Sequence, residues 1–210
     1  MNAARRRFLF AGAATAGLTA AVGLARRFDL VAPDASGLYA PGTALTYAAQ
    51  RLLTTGARAR EFSREQISAK PFANPVGALG ADFARLQAGS FRDWKLTVDG
   101  MVAHPLTLTL ADLRALPVGR QVTEVVCEEG WSYIAEWIGT PLHEVLRTAG
   151  ALPQARYVVY SSHEEGWWDS LDRADALHPQ TILTWAMNGA DLPVPFGGPL
   201  RMRVPRQLGY

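Results

Sequence analysis

From Trp94 to Val204 the chain is cut into short pieces, in which apolar and polar residues alternate or recur for a few positions until a Gly or Pro ends the run. Such punctuation leaves room only for short strands and short helices. Trp94, Leu96 and Val98 alternate with Lys95, Thr97 and Asp99, which predicts a half-buried strand ending at the Asp99-Gly100 turn signal before Met101-Val102. Thr109 stands three residues before Asp112, ahead of Leu110, Leu113 and Leu116, and Pro117 follows. That spacing predicts a short capped helix. Val122 to Cys127 is a β-branched run, and Thr140-Pro141 then opens a helix whose Leu142, Val145, Leu146 and Ala149 share one face before Gly150 closes it. Tyr157 to Tyr160 predicts a buried strand and Asp172 to Leu177 the start of a short helix. Leu200, Met202 and Val204, alternating with Arg201, Arg203 and Pro205, predict a last strand. With 19 Gly and 13 Pro available for turns, the pattern reads as an α+β fold: mixed and β-rich, with short helices.

Charge divides the chain differently. Lys and Arg number 21 against 19 Asp and Glu, so the chain as a whole is not a basic nucleic-acid binder. Residues 1–28 hold Arg5, Arg6, Arg7, Arg26 and Arg27 and no acid, which leaves 16 basic against 19 acidic side chains after them. The body is therefore mildly acidic. Arg5-Arg6-Arg7-Phe8-Leu9 followed by an uncharged Ala/Gly/Leu/Thr/Val run to Leu24 looks like a twin-arginine export signal. As a transmembrane anchor the run is marginal, because a bilayer core of roughly 30 Å asks for about 20 strongly apolar residues. The expected location is the periplasm, with membrane association if the signal stays uncleaved. Residues 29–59 read as a linker or N-terminal extension, rich in Pro and Gly to Gly42, with a short helix over Thr43 to Leu53. The main domain is expected over residues 60–210.

One Cys excludes intrachain disulfides, multi-thiolate zinc sites and Cys-ligated iron–sulfur clusters. Cys127 ends an apolar strand and is followed by Glu128-Glu129-Gly130-Trp131, so it sits where a strand emerges into a turn. It reads as a buried small hydrophobe or as a soft ligand for a redox-active metal. Nucleophilic catalysis is a weaker alternative, since flanking carboxylates oppose thiolate formation. His104 and His143 read as surface residues, while His163 and His178 occupy loops and are better candidates for function. Six Trp suggest a filled core or an aromatic pocket. Arg201, Arg203 and Arg206 suit phosphate recognition, or equally a solvated strand face.

From about Arg60 to Tyr210 the sequence resembles the oxidoreductase molybdopterin-binding domain of the sulfite oxidase superfamily, in the exported bacterial branch that includes methionine sulfoxide reductases. The matching blocks are Trp94-Lys95-Leu96-Thr97-Val98-Asp99-Gly100, Cys127-Glu128-Glu129-Gly130-Trp131-Ser132, Trp137-Ile138-Gly139-Thr140-Pro141-Leu142, His178-Pro179-Gln180-Thr181, Met187-Asn188-Gly189, and Gly198-Pro199-Leu200-Arg201 through Leu208-Gly209-Tyr210. The resemblance implies a mononuclear molybdenum–molybdopterin cofactor with Cys127 as the metal ligand and catalytic-site residue. It also implies cofactor contacts from Asn74, Ser162 and Arg201. Phe196 stands where relatives often have Asn or His. The family pattern continues past the Leu-Gly-Tyr stretch into a Lys-containing segment, so the resemblance implies a domain truncated at its C-terminus.

The implied activity is two-electron oxo transfer on a small-molecule substrate. Glu128 and Glu129 beside the thiol, with no Arg within five residues of it, favour a neutral S- or N-oxide over anionic sulfite. Sulfite oxidation is the alternative, and so is a non-catalytic exported protein that holds no cofactor. Electrons are expected from a membrane haem or quinone-linked subunit or from a soluble cytochrome.

Overall fold

A computed structural model describes residues 20–25, 30–32, 36–77, 79–164 and 166–210. The arginines of the export motif, Arg5 to Arg7, and the Arg26-Arg27 pair lie outside the described residues. Two compact units make up the chain, Met1–Ala57 and Arg58–Tyr210. In the first, α1 (Ala40–Thr54) begins earlier than Thr43, because Pro41 in its first turn is pre-set for helix and lacks only an N–H that has no helical partner there. Among the described residues no helix is long and apolar enough to cross a membrane.

In the second unit α2 (Gly80–Ala88) precedes β1 (Lys95–Val98) and β2 (Leu106–Thr109), which pair as an antiparallel ribbon. The return strand starts at Leu106 and not at Met101-Val102, because Val102 instead forms an isolated bridge with Ala151. Thr109 caps α3 (Leu110–Ala115): its Oγ1 accepts the Asp112 N–H at 3.2 Å while Asp112 Oδ2 accepts the Thr109 N–H at 2.8 Å. The main sheet is built from β3 (Gly119–Val126), β4 (Ser132–Pro141), β7 (Ile182–Met187), β8 (Ala190–Asp191) and β9 (Arg201–Arg203). Its order is β3-β4-β7-β8, with β9 also paired to β7. Between them α4 (Leu142–Ala149) packs Leu142 and Val145 on the core and ends at Gly150 in the left-handed conformation, φ 65°. β5 (Tyr157–Ser161) and β6 (Trp168–Asp172) form a separate hairpin leading into α5 (Arg173–Ala176).

The strands arise from two different patterns. β4 is buried along most of its length, and with Glu136 and Thr140 buried among its apolar residues its sequence shows no alternation to betray it. β5 is a strand as its residues predict, but it is not buried: Tyr157 and Val159 face outward while Val158 and Tyr160 face the core. The tryptophans divide as well, with Trp94 and Trp137 in the core and Trp167 and Trp168 exposed.

Gly139 marks the bulge where β4 shifts register against β7. A Cβ there would lie 2.3 Å from the Leu183 carbonyl oxygen and 2.6 Å from Thr184 Cα, both backbone atoms that cannot swing aside. Gly139→Ala is expected to destabilise the domain by about 3 kcal/mol, since the two central strands must part to admit the methyl group. Urea unfolding of the variant checks this; an unchanged midpoint would show that the bulge relaxes freely.

Candidate active site at the Cys127 turn

The loop joining β3 to β4 holds Cys127. Its N–H donates to the Trp131 carbonyl at 3.0 Å and its own carbonyl accepts from the Gly130 N–H at 3.0 Å, so the thiol sits half-buried at the end of the sheet. Gly130 has φ 92°, a conformation open to glycine at little cost. Glu129 turns back toward the thiol, with Oε2 at 3.9 Å from Cys127 Sγ. The same oxygen accepts from Trp131 Nε1 at 2.9 Å and from Asn74 Nδ2 at 3.0 Å. Those donors, Trp131 first, hold the Glu129 carboxyl below the usual range and keep it ionised beside the sulfur.

Strand alternation puts Trp131, Tyr133 and Trp137 on one face of β4. Trp131 stacks on Tyr133 at 6.0 Å, Phe72 leans on Trp131 at 5.0 Å, and Phe196 meets Tyr133 edge-on at 5.8 Å. Arg201 and Arg203 lie over the Trp137 ring at 5.6 and 5.2 Å. Burial raises the Tyr133 pKa against the opposing pull of Arg201.

Arg203 is fully buried. It donates to the carbonyls of Tyr210 and Glu124 and to Thr123 Oγ1, and its Nε–H has no partner. Among the described residues no Asp or Glu side chain pairs with it. Burial, reinforced by Arg201, pulls its pKa down to about 9. By contrast, the buried carboxylate Glu136 is well compensated: burial alone would raise its pKa, but hydrogen bonds from Arg64 and Arg120 outweigh this and lower it.

Four side chains were singled out by the sequence, and they fall at three places. Asn74 and Cys127 come together through Glu129. Arg201 donates to the Phe196 and Gly209 carbonyls at 3.3 Å each, and the Gly209 N–H in turn donates to the carbonyl of Val126, the residue before Cys127, at 2.8 Å. Ser162 is engaged within the β5–β6 hairpin, where its Oγ accepts the Glu164 N–H at 3.0 Å. Glu164 lies against Gly77, at which a Cβ would approach Glu164 Oε1 to 2.8 Å, so the loop carrying Asn74 runs between the Cys127 turn and this hairpin. Sequence reasoning did not single out Arg203 over Arg201; it placed Glu128 and Glu129 beside the thiol without distinguishing Glu129, the one that turns back to it. The histidines are otherwise occupied: His163 Nε2 accepts from Trp94 Nε1 at 2.9 Å, and His178 is buried. Among the described residues no three His, Cys, Asp or Glu side chains cluster as a metal site.

Residues 84–210 match the protein family described as oxidoreductase molybdopterin binding domain. A putative protein-methionine-sulfoxide reductase subunit, YedZ1, of Azospira oryzae is 42% identical over 148 residues, covering 70% of this chain and 54% of that protein. The chain thus spans about half the length of that relative. The sulfane dehydrogenase SoxCD of Paracoccus pantotrophus shares the fold, with a TM-score of 0.54 over 56% of this chain and 35% of that one at 23% identity. With the family match covering more than half of the residues, and a mixed, β-rich α+β architecture in the structure, this chain belongs to the oxidoreductase molybdopterin binding domain family, a sulfite oxidase-like family whose cofactor is molybdopterin.

Proposed function

We propose that the protein is an exported molybdopterin-dependent reductase of neutral S- or N-oxides, fed with electrons by a membrane haem or quinone-linked subunit or by a soluble cytochrome. Its relative's name as a putative protein-methionine-sulfoxide reductase subunit supports the substrate class. Export rests on the twin-arginine pattern of residues 1–28.

Two features of the chain fit the cofactor. Cys127 is a lone soft sulfur at the sheet's end, suited to one bond to molybdenum and to no multi-thiolate site. Arg203 is a buried cation with an unpaired Nε–H, an arrangement that an anionic group of the cofactor would complete. Asn74 meets Cys127 through Glu129, and Arg201 shares the Trp137 ring with Arg203; these two and Ser162 are the further cofactor contacts proposed from the family resemblance. When bound, a molybdenum–molybdopterin centre supplies two-electron oxo transfer, here R₂SO + 2e⁻ + 2H⁺ → R₂S + H₂O.

One observation carries the choice of substrate. The ionised Glu129 carboxylate stands 3.9 Å from Cys127 Sγ, fixed by Trp131 and Asn74, so a negative charge stands beside the proposed metal ligand. A dianion is repelled there and a neutral oxide is not. Phe72 and Trp131 add an apolar wall that suits a thioether. Steady-state assays with methionine sulfoxide and with sulfite test this: the first is expected to turn over readily and the second only weakly, with Glu129→Gln improving the sulfite KM severalfold. Robust sulfite turnover by the unaltered protein would overturn the reading.

A further inference from the structure

The outward face of the β5–β6 hairpin is a place where large apolar side chains are left in water. Pairing of Ser161 with Trp168 and of Val159 with Ser170 puts Tyr157, Val159 and Trp168 on the side facing away from the core. They are 44%, 64% and 66% exposed, and Trp167 at the turn is 46% exposed. Apolar patches of this kind on a soluble domain mark contact surfaces, and Trp and Tyr are the residues such surfaces favour.

The same hairpin is acidic. Tyr157 to Asp172 contains Glu164, Glu165, Asp169 and Asp172 and no Lys or Arg. Arg156 and Arg173 flank its base, and Glu164 stands at the turn, where its carbonyl accepts the Trp167 N–H at 3.2 Å.

Behind the patch a route of ring contacts, then backbone bonds and one backbone hydrogen bond, runs to the site. Trp167 packs on Tyr160 at 6.2 Å, and Tyr160 on Tyr210 at 6.5 Å. The Tyr160 hydroxyl donates to the Tyr210 hydroxyl, which donates to Asp169. Tyr210 is bonded to Gly209, whose N–H donates to Val126, and Val126 is bonded to Cys127. Electron tunnelling decays least along bonded, hydrogen-bonded and closely packed routes, and this one links an exposed indole to the proposed metal ligand.

We propose that the Val159/Trp168 face, with Trp167 at its edge, is where the electron partner docks, and that this partner is a haem protein whose exposed haem edge is ringed by basic residues. The proposal rests on the reductase reading above. The apolar centre supplies contact area, and the acidic hairpin steers a basic partner into register. Each encounter passes one electron, so two reduced partners are oxidised for each sulfoxide converted to sulfide and water.

The test uses the full chain with ferricytochrome c, a basic haem protein, as probe. Calorimetry in low salt is expected to show binding that weakens as salt is added. Carbodiimide coupling of carboxylates to lysines is expected to join the probe to Glu164. Trp168→Lys and Val159→Lys, both on the outward face, are each expected to weaken binding by at least about tenfold. Absence of salt-dependent binding, unchanged binding in both variants, or coupling confined to distant acids such as Asp82 and Glu144 would overturn the proposal. Sulfoxide reduction driven by reduced methyl viologen, a small donor that needs no docking face, is expected to stay within about twofold in both variants, as surface substitutions are usually mild. If the unaltered protein shows no viologen-driven turnover, the reductase reading fails, while calorimetry and coupling still judge the docking face.

Discussion

Cys127→Ser is expected to strip molybdenum from the purified protein and to lower sulfoxide reduction by about 10³-fold, roughly 4 kcal/mol of transition-state stabilisation. The exchange removes a soft sulfur and leaves a hard, weakly acidic hydroxyl of nearly the same size. Backbone bonds of residue 127 to Trp131 and Gly130 do not involve the side chain, so the turn keeps its shape. The melting temperature of cofactor-free protein is therefore expected to be unchanged. Mass spectrometry for molybdenum, on protein made in a host that synthesises molybdopterin, gives the readout. Full metal in the variant would show that the thiol is not the ligand. An absence of metal from the unaltered protein as well would favour the non-catalytic alternative.

How far the sequence discloses this arrangement depends on which faces of each element are wet. β1, α3 and α4 are legible because each has one face in water and one in the core: Leu142 and Val145 repeat with the helix, and Thr109 with Asp112 spells out the cap. β4 is illegible by alternation, since Ala135 through Pro141 are buried without a break. The β9 segment misleads for the same reason. Leu200 and Met202 pack on one core cluster, while Arg203 lies over Trp137 on the opposite side, so neither side of the strand is a solvent face. Cys127 is legible as the chain's one thiol at a strand end, but the partners of Glu129 are not, because Asn74 reaches it from 55 residues away. No local pattern encodes that meeting. Tyr157 and Val159 show the converse: their β-branched and aromatic character gives the strand correctly, yet a face that looks fit for a core is left outside.

Arg203→Met is expected to separate stability from cofactor retention. In the cofactor-free protein Arg203 is a fully buried cation whose Nε–H is unpaired and which has no Asp or Glu partner among the described residues. Holding such a charge out of water costs several kcal/mol, and replacing it by an apolar side chain of similar length relieves that cost. Against the gain stand the lost hydrogen bonds to the Glu124 and Tyr210 carbonyls and to Thr123, each worth about 1 kcal/mol net, or more where the donor is charged. The two effects are of similar size, so the unfolding free energy of cofactor-free R203M is expected to lie within about 2 kcal/mol of the parent. Retention of the cofactor, by contrast, loses a charge-assisted donor in a site sheltered from solvent. Molybdenum and pterin content after gel filtration are expected to fall by at least about tenfold, the factor that 1.4 kcal/mol of binding energy represents. Arg203→Lys keeps the charge without the planar fork and is expected to fall between the two. A variant that unfolds yet shows no loss of cofactor in its folded fraction would make Arg203 a structural cation, held for its bonds to Glu124 and Tyr210. A variant as stable as the parent that sheds its cofactor would place the guanidinium in the cofactor's anion site, with Arg201 beside it on the face of Trp137.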